Sequence, residues 1–215
     1  MKEYKKEFSC AVVGNAGILL DQEYGEFIDS HDIIIRSNQA PTSGYENCVG
    51  SRTDMRILNV HNFSPHSPNS GRNLSLQNDF PAFDNDFVLK VRNEHIIINT
   101  APSLSDDGFK PVFEIMKNNN CKINSFDDFI SKSKIDNLLD IPGMSCGFMG
   151  ILLAKHLFNS VSCFGFTFNQ DKDGESRHYF EDMKLQTPSS HNFLKEKAII
   201  RKRRSGVNYN MLISY

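Results

Sequence analysis

Short, continuous hydrophobic runs recur along the chain and predict β-strands. The runs do not alternate strictly between apolar and polar residues, as a strand with one solvent-facing side does. Each strand is therefore expected to be covered on both faces, which is typical of a parallel sheet. The runs are FSCAVV (Phe8–Val13), DIIIRSN, DMRILNV, DFVLKV (Asp86–Val91), HIIINTA (His95–Ala101), SVSCFGFT and VNYNMLIS.

Segments with helical character alternate with these strands. KPVFEIMKNN carries an apolar stripe and ends at asparagines, and SCGFMGILLAKHLF is largely apolar and begins at Ser145. FDDFISKSKIDNLL and the basic segment HNFLKEKAIIRKRR are the other two. This alternation predicts an α/β fold with a mostly parallel central sheet flanked by helices. A length of 215 residues fits one domain better than two, so residues 1–215 are expected to form a single domain.

Two long stretches lack periodicity and are predicted to be loops. Val60–Asp86 is rich in Ser, Asn and Pro, and residues 169–190 separate SVSCFGFT from the last helix. Long loops in a compact domain tend to carry function.

Charge and cysteine content argue against several classes of function. A net charge of −2 at pH 7 does not favour bulk electrostatic binding to nucleic acid. An odd number of cysteines at irregular spacing, without a CxxC pair or a Cys/His cluster, indicates free thiols in a reducing compartment. The sequence has no apolar run of the ~18 residues that a membrane span needs, so a soluble chain is expected. The cysteines are Cys10, Cys48, Cys121, Cys146 and Cys163.

The turn after the first predicted strand is the first candidate binding feature. Ligands of parallel sheets sit beyond the carboxyl ends of the strands, where Gly14 and Asn15 fall. Glycine lets the backbone approach a ligand closely, and a carboxamide both donates and accepts hydrogen bonds, which suits a nucleobase or ribose. Taken alone, the sequence GNAG equally fits a plain strand-to-helix turn. It lacks the GxGxxG spacing of a dinucleotide site, which disfavours a nicotinamide-dependent oxidoreductase.

The residues around this turn resemble the large sialylmotif of the animal-type sialyltransferases, glycosyltransferase family 29. The resemblance runs position by position through CAVVGN.G, YG..IDSHD and R.NQAPT.GYE..VGSRT, without a gap. Three further motifs follow in the order of the family. SCGFMGILLAKHLFNSVSCFGF resembles the small sialylmotif, RHYFED the third motif, and HNFLKE the very small motif.

The resemblance implies a Rossmann-like domain of the GT-A type without a DxD metal motif. It also implies inverting transfer of sialic acid from CMP-sialic acid to a glycan hydroxyl, with no metal and no cofactor. The sequence agrees on the metal, because SFDDF and DKD do not follow a strand, and Asp127 and Asp128 suit a helix start. The expected partners are the CMP-sugar donor and an acceptor glycan on a glycoprotein, glycolipid or oligosaccharide, with no nucleic acid and no membrane span.

The resemblance also assigns residues to the donor site. Asn15 and Asn38 match the motif asparagines that contact the donor nucleotide, and Gly14 accompanies the first of them. The small motif places Ser145, Cys146 and Gly147 at a helix start, where free N–H groups bind an anion such as the CMP phosphate. The simpler interpretations are a turn former at Asn38 and a plain helix cap at Ser145.

Two histidines carry the chemistry that the resemblance implies. His178 of the third motif would stabilise charge on the leaving phosphate. His191 of the very small motif would be the general base, a task that suits a group titrating near neutral pH. Glu196 lies five residues after His191 and is expected to have a structural role, and His31 in the large motif is expected to support the fold.

The sequence departs from the family at several positions. Animal members pair the large-motif cysteine with a small-motif cysteine, but Phe158 stands at the second position, so Cys10 cannot form that bridge. Cys146 replaces a threonine, which puts one phosphate or ribose contact in doubt. Animal members also carry a membrane anchor and stem that have no counterpart here. We therefore expect a cytoplasmic location, or the Golgi lumen if the chain is a fragment of an anchored enzyme.

Other functions stay open on the sequence alone. The donor could be a related CMP-activated keto sugar such as Kdo, because both donors share the CMP portion. A non-catalytic nucleotide-binding or glycan-binding protein on the same fold is a third hypothesis, which the presence of both His178 and His191 disfavours. The linkage (2,3, 2,6 or 2,8) has no readable motif and depends on loops such as Val60–Asp86.

Overall fold

The computed structural model describes residues 4–59, 91–99, 114, 117–126, 144–167, 178–180 and 193–202. The chain divides into two compact units. Unit 1 consists of Met1–Asp54 and Asn137–Tyr215, and unit 2 of Met55–Asp136. Every candidate site residue of the sequence analysis belongs to unit 1.

Unit 1 contains three parallel strands with β1 (Ser9–Val13) in the middle. The strand β2 (Ile33–Ser37) pairs with one edge of β1, and β6 (Ser160–Phe164) pairs with the other. Almost all residues of the three strands are buried, which explains why the sequence shows continuous apolar runs without alternation.

Helices of unit 1 cover these strands. A 3-10 helix (Gly17–Asp21), α1 (Gly25–Asp29) and α2 (Glu46–Val49) lie between the first strands in sequence, and α4 (Phe193–Lys202) comes last. The 12-residue α3 (Cys146–Leu157) begins after the N-cap Ser145 and packs on β1, β2 and β6. All but four of its residues are buried, as the largely apolar sequence of this helix predicts.

Unit 2 contains three further parallel strands, with β4 (His95–Asn99) between β3 (Met55–Asn59) and β5 (Lys122–Ser125). A buried ion pair stands at the start of this group, where Arg56 Nε and Glu94 Oε2 are 2.7 Å apart. Nη2 of Arg56 also donates to Oε1 of Glu94 at 3.0 Å, so the pair is bidentate.

The α/β prediction is confirmed, and most predicted elements in the described ranges are found. The strand β5 was not predicted, because its sequence KINS is short and mostly polar and its residues are exposed or half-buried. Val91 lies in a turn rather than at the end of a strand. In the predicted helix KPVFEIMKNN, Glu114, Lys117 and Asn118 are helical. Asn119, the last residue of this segment, lies in a turn. The other residues of DFVLKV and KPVFEIMKNN lie outside the described residues. So do the loop Val60–Asp86, most of FDDFISKSKIDNLL and the run VNYNMLIS. The single-domain assignment stays a prediction.

Candidate active site

The turn after β1 is shaped by the neighbouring strand β6. The Gly14 amide donates to the Phe164 carbonyl at 2.8 Å, and the Ala16 amide donates to the Gly165 carbonyl at 3.3 Å. A Cβ atom on Gly14 would lie 2.4 Å from the Gly165 oxygen. Within the described structure, the close approach that requires glycine here is therefore to β6, and the expected role of Gly14 at a ligand stays a prediction.

Asn15 presents a buried hydrogen-bond acceptor to this edge of the sheet. Its side-chain Oδ1 is inaccessible to solvent and has no hydrogen-bond partner among the residues that the structure describes. A buried polar atom without a partner costs about 1–3 kcal/mol. Most such atoms in folded proteins are paired, so an exception calls for a ligand or an ordered water. Asn15 is therefore suited to receive a hydrogen bond from a ligand.

Asn38 follows β2 at the same level as Asn15 follows β1. Val13 is paired with Arg36 in the parallel register, so two further residues along each strand lead to the two asparagines. Asn38 has a φ of 52°, in the left-handed region that asparagine tolerates better than most residues. The turn-forming role of Asn38 is confirmed, and its predicted contact with a ligand is compatible with that role.

The N-terminus of α3 faces the same edge of the sheet. Since α3 ends at Leu157 and β6 begins at Ser160, the helix runs antiparallel to the strands. The 12 residues of α3 span about 18 Å and a five-residue strand spans about 16 Å, so the start of the helix is level with the strand ends. Ser145, Cys146 and Gly147 therefore share an edge with Asn15 and Asn38.

The amide and the hydroxyl of Ser145 both form hydrogen bonds within the protein. Its Oγ accepts a hydrogen bond from the Phe148 amide at 3.1 Å, which confirms the N-cap. Its amide donates to Oε1 of Glu196 at 2.7 Å, and its hydroxyl donates to Oε2 at 3.1 Å. Glu196 therefore takes both of the donors that Ser145 would offer to a phosphate. The phosphate contact assigned to Ser145 stays a prediction.

Glu196 of α4 is fully buried, with an exposed fraction of 0%. Its carboxylate links the first turn of α4 to the cap of α3, and a negative charge is favourable at a helix N-terminus. The structural role expected for Glu196 is confirmed.

The third motif lies against the Asn15 turn. The Tyr179 amide donates to the Asn15 carbonyl at 2.8 Å, so the preceding residue, His178, lies beside this turn. The imidazole of His178 stacks on the Phe180 ring with a centroid distance of 5.2 Å and an interplanar angle of 10°. The structure thus brings His178, Asn15 and Asn38 to one edge of the sheet in unit 1. His191 lies outside the described residues.

Two features of the site could not be found from spacing alone. Tyr179 lies inside the third motif, but only its burial and its bond to Asn15 reveal its role. The pairing of Glu196 with Ser145 joins residues 51 positions apart. The motif position of Glu196 was a signal for its importance and not for its partner.

His31 supports the fold as expected. Its Nε2 and the Ser162 Oγ are 2.9 Å apart, and its Nδ1 lies 2.9 Å from the Phe27 carbonyl oxygen. The imidazole thereby ties the end of α1 to β6.

The described part of the chain holds no group of three or more His, Cys, Asp or Glu residues that could bind a metal ion. In the same residues, no helix is both long and apolar enough to cross a membrane. The expectation that SFDDF does not follow a strand was wrong, because β5 (Lys122–Ser125) ends at the first residue of this segment. The predictions of a metal-free, cofactor-free enzyme therefore rest on the resemblance to the family and stay predictions.

Comparison with known proteins identifies relatives for almost the whole chain. The sequence model of glycosyltransferase family 29 (sialyltransferase) matches residues 2–205. CMP-N-acetylneuraminate-beta-galactosamide-alpha-2,3-sialyltransferase 1 of Mus musculus is 33% identical over 175 residues, which make up 80% of this chain and 48% of that protein. CMP-N-acetylneuraminate-beta-galactosamide-alpha-2,3-sialyltransferase 2 of Rattus norvegicus is 33% identical over 179 residues, which make up 80% of this chain and 46% of that protein. The chain thus spans about half the length of the relatives it matches.

A solved structure shares the fold. The crystal structure of a mammalian sialyltransferase in complex with Gal-beta-1-3GalNAc-ortho-nitrophenol matches with a TM-score of 0.61 at 23% identity. The match covers 97% of this chain and 70% of that one.

Proposed function

Because the chain belongs to glycosyltransferase family 29, the sialyltransferases, we propose that it transfers sialic acid from CMP-sialic acid to a hydroxyl of an acceptor glycan. The observation that carries the proposal is the buried, unpartnered Oδ1 of Asn15 at the carboxyl edge of the sheet. A cytidine amine or a ribose hydroxyl supplies the donor that this oxygen lacks. Asn38, Cys146 and Gly147 at the same edge complete the proposed CMP site.

The proposed reaction is an inverting displacement at the anomeric carbon of sialic acid. The acceptor oxygen attacks that carbon as its bond to the phosphate oxygen breaks, and CMP leaves with the electron pair. His191 takes the proton of the acceptor hydroxyl. His178 stabilises the negative charge that develops on the phosphate, together with the helix start at Cys146 and Gly147. The scheme needs no metal ion.

The names of the relatives suggest which acceptor to test first. Both relatives are named beta-galactosamide-alpha-2,3-sialyltransferases, and the solved structure contains Gal-beta-1-3GalNAc. We infer that this chain accepts a terminal beta-galactoside and forms an alpha-2,3 linkage. Product analysis with galactoside and sialoside acceptors tests this directly, and an alpha-2,6 or alpha-2,8 product would contradict it.

The donor site is tested by CMP affinity. In Asn15→Ala and Asn38→Ala, the loss of one or two hydrogen bonds should weaken CMP binding by about 1–3 kcal/mol each, as measured by calorimetry. The control is Asn159→Ala, an exposed asparagine directly before β6 at the opposite edge of the same strands, which should bind CMP normally. Unchanged CMP affinity in both site variants would show that the nucleotide does not bind at these asparagines.

The roles of the histidines are tested by single-turnover transfer. His191→Ala should bind CMP normally but transfer sialic acid about 10²–10⁴-fold more slowly, because it lacks only the general base. His178→Ala should lose both transfer rate and donor affinity. His156→Ala, in the last turn of α3, serves as the control and should behave like the parent protein. Near-normal transfer by His191→Ala would refute the assignment of the base.

The same transfer assay tests whether the reaction needs a metal ion and which CMP-sugar is the donor. Transfer should survive EDTA, because the proposed scheme assigns the phosphate charge to a helix start and a histidine. Loss of activity in EDTA that Mg²⁺ or Mn²⁺ restores would contradict it. CMP-Kdo is tested in parallel as an alternative donor. Transfer from CMP-Kdo but not from CMP-sialic acid would show that the donor is the related keto sugar and not sialic acid. Binding of CMP without transfer from either donor would indicate a binding protein.

A further inference from the structure

Tyr179 contacts two of the segments that carry candidate donor-site residues. Its amide donates to the Asn15 carbonyl at 2.8 Å, and its hydroxyl donates to the Pro41 carbonyl. The residue is buried, with 4% of its surface exposed. Its ring packs edge-on against Tyr45 at a centroid distance of 5.1 Å. Tyr179 is thus fixed by its backbone, its ring and its hydroxyl at once.

The anchoring of Tyr179 limits where His178 can lie. The peptide that joins the two residues is rigid, so the bond from the Tyr179 amide to Asn15 also fixes the backbone at His178. The stack on Phe180 then sets the plane of the imidazole. Among the described residues of the third motif, His178 and Phe180 are half-buried and Tyr179 is buried.

The same hydroxyl holds the loop that begins at Asn38. Pro41 follows Asn38 by three residues, and the intervening Ala40 is buried in the same core cluster as Tyr179. Asn38 keeps a left-handed φ of 52°, which persists only where the surrounding structure fixes it. The Tyr179 hydroxyl therefore acts on the backbone of a second candidate donor-site residue.

We propose that Tyr179 is a positioning residue that holds His178 and the Asn38 loop in their places around the Asn15 turn. This inference rests on the proposed function, because it gives His178 and Asn38 the roles described above. Tyr179 itself needs no contact with donor or acceptor. It acts through the two carbonyl groups that it binds.

The test variant is Tyr179→Phe, which keeps the ring and the amide and removes the hydroxyl. Single-turnover transfer should fall about five- to tenfold, as expected from the loss of one hydrogen bond to a part-buried carbonyl. CMP should also bind more weakly, because the Asn38 loop is released in the same variant. The matched control is Tyr24→Phe, whose ring packs against the same core cluster and lies 5.9 Å from the Phe164 ring. It should retain the parent rate and affinity.

A structural readout separates this inference from the proposed function. The Phe180 ring shifts the resonances of the His178 ring protons, which can be assigned by comparison with His178→Gln. Tyr179→Phe should move these resonances and speed the hydrogen exchange of the residue 179 amide by about tenfold, whereas Tyr24→Phe should change neither. Unchanged resonances and unchanged exchange in Tyr179→Phe would overturn the positioning role whatever the activity. If the parent protein bound no CMP, that result would instead refute the proposed function.

Discussion

At the scale of single residues, membership in a sialylmotif does not mean contact with a ligand. Arg36 of the large motif is 1% exposed, and its guanidinium donates to the Val49 and Arg52 carbonyls. Burial opposes ionisation of Asp29, but hydrogen bonds from Ser51 and from the Arg52 amide prevail and lower the pKa of its carboxyl group. These charged residues of the large motif bind residues 49–52 and hold that segment in place.

Glu196 provides the residue-scale prediction. Glu196→Ala leaves the Ser145 amide and hydroxyl without their buried acceptor, which should lower the free energy of unfolding by about 2–4 kcal/mol. Glu196→Gln keeps one acceptor oxygen for the amide and should cost about 1 kcal/mol. Urea unfolding measures both changes.

Matched variants define what would contradict this prediction. Glu26→Gln removes an exposed carboxylate from the first turn of α1 and should change stability by less than about 0.5 kcal/mol. The double variant Glu196→Ala, Ser145→Ala should cost less than the sum of the single changes, because both changes remove the same hydrogen bond from the Ser145 hydroxyl to the Glu196 carboxylate. Additive costs would show that the hydrogen bond between the Ser145 hydroxyl and the Glu196 carboxylate does not stabilise the protein.

The candidate site could be predicted in part from residue identity. The sequence placed Asn15 in a turn after a buried strand, at the edge where ligands of parallel sheets bind, and the resemblance to the large sialylmotif added Asn38. Their contacts with a ligand stay predictions. The sequence could not locate the partner of Glu196 or the two anchors of Tyr179. Such contacts depend on which distant elements pack together, and no local periodicity records them.

At the scale of elements, hydrophobic runs predicted the strands wherever burial was complete. The strands β1, β2, β3, β4 and β6 consist almost entirely of buried residues, and the sequence shows each as an apolar run. The strand β5 exposes Lys122 and only half buries the rest, so pairing with β4 and not hydrophobicity makes it a strand. A prediction of strands from apolar runs therefore misses polar strands of this kind.

The pairing of β4 with β5 leads to a prediction about pH. The pKa of His95 is lowered to about 4 from its usual 6.5, chiefly by burial and also by the nearby Lys122 charge, although a hydrogen bond to Asn124 opposes the shift. Between pH 6.5 and pH 4 the unfolded chain binds a proton at His95 that the folded chain does not. The free energy of unfolding should therefore fall by about 2–3 kcal/mol as the pH drops through this range.

Variants isolate the contribution of His95 from that of other titrating groups. His95→Gln should lose less stability than the parent protein between pH 7 and pH 4.5, since its side chain cannot be protonated. Chemical denaturation at several pH values gives the comparison, and identical slopes for His95→Gln and the parent would be the contrary result.

At the scale of the whole molecule, the cysteines distinguish this chain from the expectation for its family. All five thiols are free, and Phe158 stands at the position that resemblance to animal members gives to the partner of Cys10. The Phe158 ring packs edge-on against the Tyr4 ring at a centroid distance of 6.0 Å, which is a non-covalent contact with the N-terminal segment. Hydrophobic packing, rather than a cross-link at this position, then has to join the N-terminal segment to the end of α3.

The final prediction is that the protein folds and works under reducing conditions. Burial raises the pKa of the Cys163 thiol to about 12 and that of Cys10 well above its usual range, so neither forms the thiolate that disulfide exchange requires. The melting temperature and the transfer rate should therefore be unchanged by excess dithiothreitol. Alkylation of the native protein should label Cys48 first, because it is the half-buried member of the five. Cys48→Ser should remove that rapid labelling and leave stability unaffected. A fall in melting temperature on reduction, with a gain of hydrogen mass, would reveal a disulfide that this arrangement of thiols does not contain.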